Sequence, residues 1–89
     1  DLDIIQLGVK NKLAVIRSIC DQYSLLMEEI AYLGDDINDL KVIQNVGLSA
    51  APQDAEKQVL EAVDIVLNKK GGEGVFREFV NIILKNTSL

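Results

Sequence analysis

This sequence contains no histidine and no tryptophan, and only one cysteine, one proline and one methionine among its 89 residues. Without histidine there is no imidazole to act as a general base, to activate a thiol or to ligate zinc. The lone Cys20 cannot close an internal disulfide, which fits a reducing compartment and a cytoplasmic location. It follows Ile16 at helical spacing and reads as a small core residue rather than a nucleophile. Aromatic residues make up 4% of the chain, so its core must be aliphatic. Positive charge is also scarce: nine Lys and Arg face 14 Asp and Glu, for a net charge of −5. No basic patch is present, which argues against nucleic acid or an acidic membrane as partner. An anionic small molecule stays open, because a bound cation inverts the local field. No segment resembles a signal peptide or a membrane span.

What the chain does have is apolar content, 48%, enough for one small domain with a modest core. Leu2 to Leu7 reads as a short buried strand ended by Gly8. From Asn11, Leu13, Ile16 and Cys20, together with Val15, Ile19 and Tyr23, recur at helical period. Met27 to Glu29 is a connection and Ile30 to Leu33 a second strand. Leu40, Ile43 and Val46 mark a short helix stopped at Gly47, and Leu48 to Ala51 a third strand closed by Pro52. A helix is expected over Gln53 to Ala62, a fourth strand over Ile65 to Leu67, and a glycine-rich loop over Lys69 to Gly74. Val75, Phe79 and Ile83, with Phe76 and Val80, define a last amphipathic helix. Alternating short apolar strands and helices predict an α/β fold, a Rossmann-like parallel sheet covered by helices.

The richest chemistry lies at residues 34 to 39, Gly-Asp-Asp-Ile-Asn-Asp, directly after the second strand and before a helix. Like charges packed at Asp35, Asp36 and Asp39 repel one another, and a hard cation such as Mg²⁺ relieves the repulsion with oxygen ligands. Ligands of open α/β sheets also gather at this carboxyl edge. Asp36 or Asp39 can equally cap the following helix, and the two roles are compatible. Lys12 opens the first helix, where an ammonium can reach over the same edge, hold a phosphoryl oxygen and damp repulsion among the carboxylates. Gly71 and Gly72 form either a tight strand-to-helix turn or a backbone cradle for an anion. Arg77 can meet a carboxylate bidentately or form a structural salt bridge, with Glu78 as its neighbour. Tyr23 and Tyr32 read as core or rim residues.

Four stretches, Val9-Lys10-Asn11-Lys12-Leu13, Ala31-Tyr32-Leu33-Gly34-Asp35-Asp36-Ile37-Asn38-Asp39, Val46-Gly47-Leu48-Ser49 and Gly71-Gly72-Glu73-Gly74-Val75-Phe76-Arg77-Glu78, together resemble the haloacid-dehalogenase phosphatases. Within them the chain is similar to the small cap-less branch acting on phosphates of eight- and nine-carbon sugar acids. That branch includes 3-deoxy-manno-octulosonate 8-phosphate and deoxynonulosonate 9-phosphate phosphatases, and the phosphatase-like C-terminal module of acylneuraminate cytidylyltransferases. The resemblance implies aspartyl-phosphate catalysis with Mg²⁺ as cofactor, a small-molecule sugar-acid phosphate as substrate and a homo-oligomer, tetrameric in the complete enzyme. It assigns Lys12 to the catalytic lysine and Asp35 to the metal. Asp36 becomes a partner of the metal site through water or a hydrogen bond, and Asp39 a support for Lys12 or the loop. Gly72 and Arg77 become candidate substrate contacts.

One departure stands out. The family's nucleophile lies in an Asp-x-Asp-Gly motif after an apolar strand, and the chain has none; the motif's Ser/Thr partner is missing too. Asp1 and Asp3 spell Asp-x-Asp, but Ile4 and Ile5 follow, and Lys12 arrives only nine residues after Asp3. The chain also opens without Met. Residues 1–89 are therefore expected to be one partial domain, the C-terminal half of a haloacid-dehalogenase-like fold, inert alone and prone to associate through exposed apolar faces. Two other readings are a cytidylyltransferase tail used for assembly and a non-catalytic metal-binding domain.

Overall fold

The computed structural model describes residues 3–5 and 12–86. Eight elements follow in order: β1 (Asp3–Ile5), α1 (Lys12–Tyr23), β2 (Ile30–Leu33), α2 (Leu40–Ile43), β3 (Leu48–Ala51), α3 (Lys57–Ala62), β4 (Ile65–Val66) and α4 (Val75–Lys85). Single 3₁₀ turns at Met27–Glu29 and Ile37–Asp39 lead into β2 and α2. The four strands form one parallel sheet in chain order, with Ile4 opposite Ala31, Ala31 opposite Leu48 and Ala50 opposite Ile65.

Sequential parallel neighbours need a crossover each, and crossovers of one hand bring their helices to one face. Here α1, α2 and α3 share that face: Ile16, Cys20, Val42, Ile43 and Val59 pack over Ile30, Tyr32 and Ala51. On the opposite face, Phe79 of α4 packs against Ala31, Ala50 and Leu67, flanked by Val75, Ile82 and Ile83. The period-two alternation of the strands makes this division, sending Ile30 and Tyr32 one way and Ala31 the other. Because β2 is covered on both sides, it reads Ile-Ala-Tyr-Leu with no polar alternation.

The sheet is as predicted from the strand pattern, while several boundaries differ. The helix expected from Gln53 begins only at Lys57. After Pro52 the Gln53 N–H donates to the Lys69 carbonyl at 2.9 Å and Ala55 N–H to the Pro52 carbonyl at 3.1 Å, so these residues serve a neighbouring loop and a turn instead. The last strand closes at Val66 rather than Leu67, although Leu67 N–H still reaches the Ala51 carbonyl at 2.8 Å. The α2 helix ends at Ile43, before Gly47. Gly47 is needed for closeness: a Cβ there would lie 1.8 Å from the Glu28 carbonyl oxygen. The expected first strand is described only over Asp3–Ile5; Leu2, Leu7 and Gly8 lie outside the described residues. Ser24, at φ 56°, terminates α1 in the left-handed region, and Leu25 N–H closes back on the Cys20 carbonyl at 2.8 Å.

Candidate functional site

Parallel strands end together, so the loops after β2, β3 and β4 and the first turn of α1 share the sheet's carboxyl edge. Gly34 N–H extends the ladder one residue past β2, to the Ala50 carbonyl at 3.0 Å. The chain then tightens into the 3₁₀ turn, where Asp36 is the N-cap and its carboxylate accepts from Asn38 N–H at 3.3 Å. In return Asp36 N–H donates to Asp39 Oδ2 at 3.1 Å, which completes a capping box. The expected capping role thus falls to Asp36.

Asp39 is the hub. It is 2% exposed, and its carboxylate receives four donors. Lys12 Nζ donates to Oδ1 at 2.6 Å and Tyr32 OH to the same oxygen at 2.5 Å. Asp35 N–H and Asp36 N–H reach Oδ2 at 3.0 and 3.1 Å. A carboxylate offers about four lone-pair sites, so this one is saturated and has none left for a metal. Burial pushes the Asp39 carboxyl upward, yet the bonds from Lys12, Tyr32, Asp36 and Asp35 outweigh it and hold the group below its ordinary value. The Tyr32 phenol moves far upward, through burial first, then through its bond to Asp39 and the charges of Asp39 and Asp35. Gly34 makes room for the hub: a Cβ there would sit 2.8 Å from Asp39 Cβ.

Asp35 is exposed at the start of this loop. Its backbone is held from two sides, by N–H donation to Asp39 and by its carbonyl, which accepts from Glu56 N–H at 3.1 Å. Among the described residues no cluster of three His, Cys, Asp or Glu side chains is gathered around a metal position. The exposed Asp35 and Asp36 of this loop offer carboxylate oxygens, hard ligands without nitrogen or sulfur. A cation that takes one or two carboxylates and fills its shell with water and phosphate, as Mg²⁺ does, fits such a set.

The structure brings Lys12, Asp35, Asp36 and Asp39 together around one carboxylate. Gly72 and Arg77 are not joined to that cluster by any hydrogen bond or ion pair among the described residues. The glycine loop is a turn stapled from both sides. Gly71 N–H donates to Asp54 Oδ1 at 2.8 Å and is engaged within the protein, and Gly72 adopts φ 83° with open space beside it. Glu78 does not pair with Arg77; it accepts from Asn68 N–H at 2.8 Å and Lys69 N–H at 3.0 Å. Tyr23 is 65% exposed on the rim, whereas Tyr32 is core and also belongs to the hub. Sequence reasoning placed Tyr32 in the core or rim but missed its link to Asp39. The available signal was a phenol on a strand otherwise built of aliphatic residues, since a buried hydroxyl requires a partner.

A parallel α/β domain carrying a lysine–carboxylate hub and a free aspartate at its carboxyl edge defines the class. The model of the haloacid dehalogenase-like hydrolases matches residues 2–79, and the chain belongs to that family. The 3-deoxy-D-manno-octulosonate 8-phosphate phosphatase of Salmonella typhi is 35% identical over 77 residues, covering 86% of this chain and 41% of that enzyme. The chain therefore spans about two fifths of the length of the curated relatives it matches. Among solved structures, the cobalt-bound deoxy-D-mannose-octulosonate 8-phosphate phosphatase of Haemophilus influenzae superposes with a TM-score of 0.82 at 39% identity, over 90% of this chain and 47% of its own. The Moraxella catarrhalis 3-deoxy-D-manno-octulosonate 8-phosphate phosphatase, in complex with magnesium ion, phosphate ion and a KDO molecule, gives 0.84 at 29% identity, over 88% and 45%.

Proposed function

We propose that this chain supplies the lysine and acidic half of a Mg²⁺-dependent phosphomonoesterase site. Its substrate is an eight-carbon sugar-acid phosphate of the 3-deoxy-manno-octulosonate 8-phosphate kind. The observation that carries the reading is the Asp39 carboxylate, which ties Lys12 to the Asp35 loop at the edge where ligands of parallel sheets bind. The names of the relatives support the substrate class, and the magnesium and phosphate in the Moraxella catarrhalis complex support the cofactor.

In this site Lys12 holds a phosphoryl oxygen, donating N–H bonds that Asp39 does not use, and offsets charge that builds up during transfer. Asp35 would present the carboxylate that holds Mg²⁺, and Asp36, next to it in the loop, would support that site through water or a hydrogen bond. When bound, Mg²⁺ polarises the phosphoryl group and neutralises the acidic loop. Asp39 touches neither phosphate nor metal. It fixes the distance between the two groups that do. The attacking aspartate comes from a segment that contains the Asp-x-Asp-Gly motif absent from these 89 residues.

The test is inorganic phosphate release by the protein that carries this chain, with eight-carbon and nine-carbon sugar-acid phosphates and a plain hexose phosphate offered in parallel. Release from the eight-carbon compound that stops with EDTA and returns with Mg²⁺ supports the proposal. Equal release from all three, or release that ignores EDTA, overturns it.

A further inference from the structure

Tyr32 holds no phosphate and no metal in the proposed site, yet its hydroxyl is bound into the Asp39 hub. The ring is 2% exposed in the core between β2 and the helices, among Ile16, Val42 and Val59. A ring in that place could have been phenylalanine. Instead the hydroxyl crosses to Asp39 and donates to Oδ1, the oxygen that also receives Lys12 Nζ. The two backbone amides occupy Oδ2. Each Asp39 oxygen thus carries two donors, and the ammonium is confined to one direction at one oxygen.

A lysine ammonium is a rotating point donor on a flexible stem, and a carboxylate with an open lone pair lets it slide. With the Tyr32 hydroxyl on one side of Oδ1, Lys12 has one place to bind. Its remaining N–H donors, of three in all, then point in fixed directions. The hydroxyl also draws charge from Oδ1, so the oxygen holds the ammonium less exclusively than a bare carboxylate would.

We propose that Tyr32 is a positioning residue for Lys12, acting through Asp39 to fix the ammonium where a phosphoryl oxygen meets it. The inference rests on the phosphatase reading above and adds a residue to it. Its contribution is orientation of a catalytic group, so its loss lowers turnover and leaves substrate affinity nearly unchanged.

The test is a double-mutant cycle on turnover in the protein that carries this chain, using Tyr32→Phe, Lys12→Met and the pair. Tyr32→Phe keeps the ring and removes the hydroxyl, and folding is checked by circular dichroism. The expected result is a fall in kcat of roughly tenfold with KM changed less than about twofold. In the Lys12→Met background the same change has no further effect on kcat. Equal effects of Tyr32→Phe with and without Lys12 would overturn the inference, since the hydroxyl would then act on the fold at large. So would unchanged kcat, or a variant unfolded at the assay temperature. Failure of the phosphatase reading shows differently: Lys12→Met itself would leave kcat intact.

Discussion

Four donors converge on the Asp39 carboxylate, and each of its oxygens takes two. Replacing it with asparagine keeps the shape but turns one acceptor into an N–H₂ group facing donors, and leaves Lys12 without its counter-charge. Asp39→Asn is expected to destabilise the chain by about 3 kcal/mol or more at neutral pH, read by urea unfolding. The sign of the pH dependence follows from the lowered Asp39 value. A carboxyl that ionises more readily folded than unfolded adds stability above its unfolded value, about 4, and loses it as pH falls through the lower folded one. The gap between wild type and Asp39→Asn should therefore be widest near neutrality and narrow below about pH 4. A gap that widens on acidification would contradict the bonding pattern. Gly34→Ala is expected to lower stability by roughly 1–3 kcal/mol in the same assay, because its Cβ would press on Asp39. At this scale much could be read from sequence: three aspartates beside a strand end are chemically conspicuous, and so is a lysine opening the preceding helix. Tyr32 was harder to read. Its partner lies seven residues on, across a turn, and only the 3₁₀ geometry of 37–39 brings the carboxylate back over the strand.

Among the elements, β2 and β3 were legible because β2 is a four-residue apolar run and β3 is apolar but for Ser49, each bounded by a turn or a helix end. The start of α2 at Leu40 and the stop of α3 at Ala62 were legible too, but the stop of α2 and the start of α3 were not: α2 passes after Ile43 into local turns, and tertiary hydrogen bonds delay α3 to Lys57. Gln53 looks helical by composition, but its N–H serves the loop after β4, and no local pattern announces that. The end of α1 is a further case. Ser24 occupies a left-handed position that glycine adopts without strain, and a residue with a Cβ there costs about 1 kcal/mol. Ser24→Gly is expected to raise stability by about that amount, shifting the urea midpoint upward without changing the slope. An unchanged or lower midpoint would mean that the serine side chain compensates for its backbone.

For the molecule as a whole, sequential parallel order is what creates a site. It lines up the ends of β2, β3 and β4 with the start of α1, so that Lys12 and Asp39, 27 residues apart, meet directly. The Asp54 to Gly71 bond and the Glu78 bonds to Asn68 and Lys69 brace the remaining loops along the same edge. Among the described residues no helix is long and apolar enough to cross a membrane. The same architecture places Asp35 as an exposed carboxylate beside the hub, next to the equally exposed Asp36, and the proposed function requires Asp35 to bind the cation. The most direct measurement is the Mg²⁺ dependence of phosphate release from 3-deoxy-manno-octulosonate 8-phosphate by the carrying protein, wild type against Asp35→Asn. The variant is expected to need at least about tenfold more Mg²⁺ for half-maximal turnover and to lose most of its kcat, as substitutions at metal-site carboxylates do. An Asp35→Asn protein with the wild-type Mg²⁺ requirement and rate would contradict the proposed function.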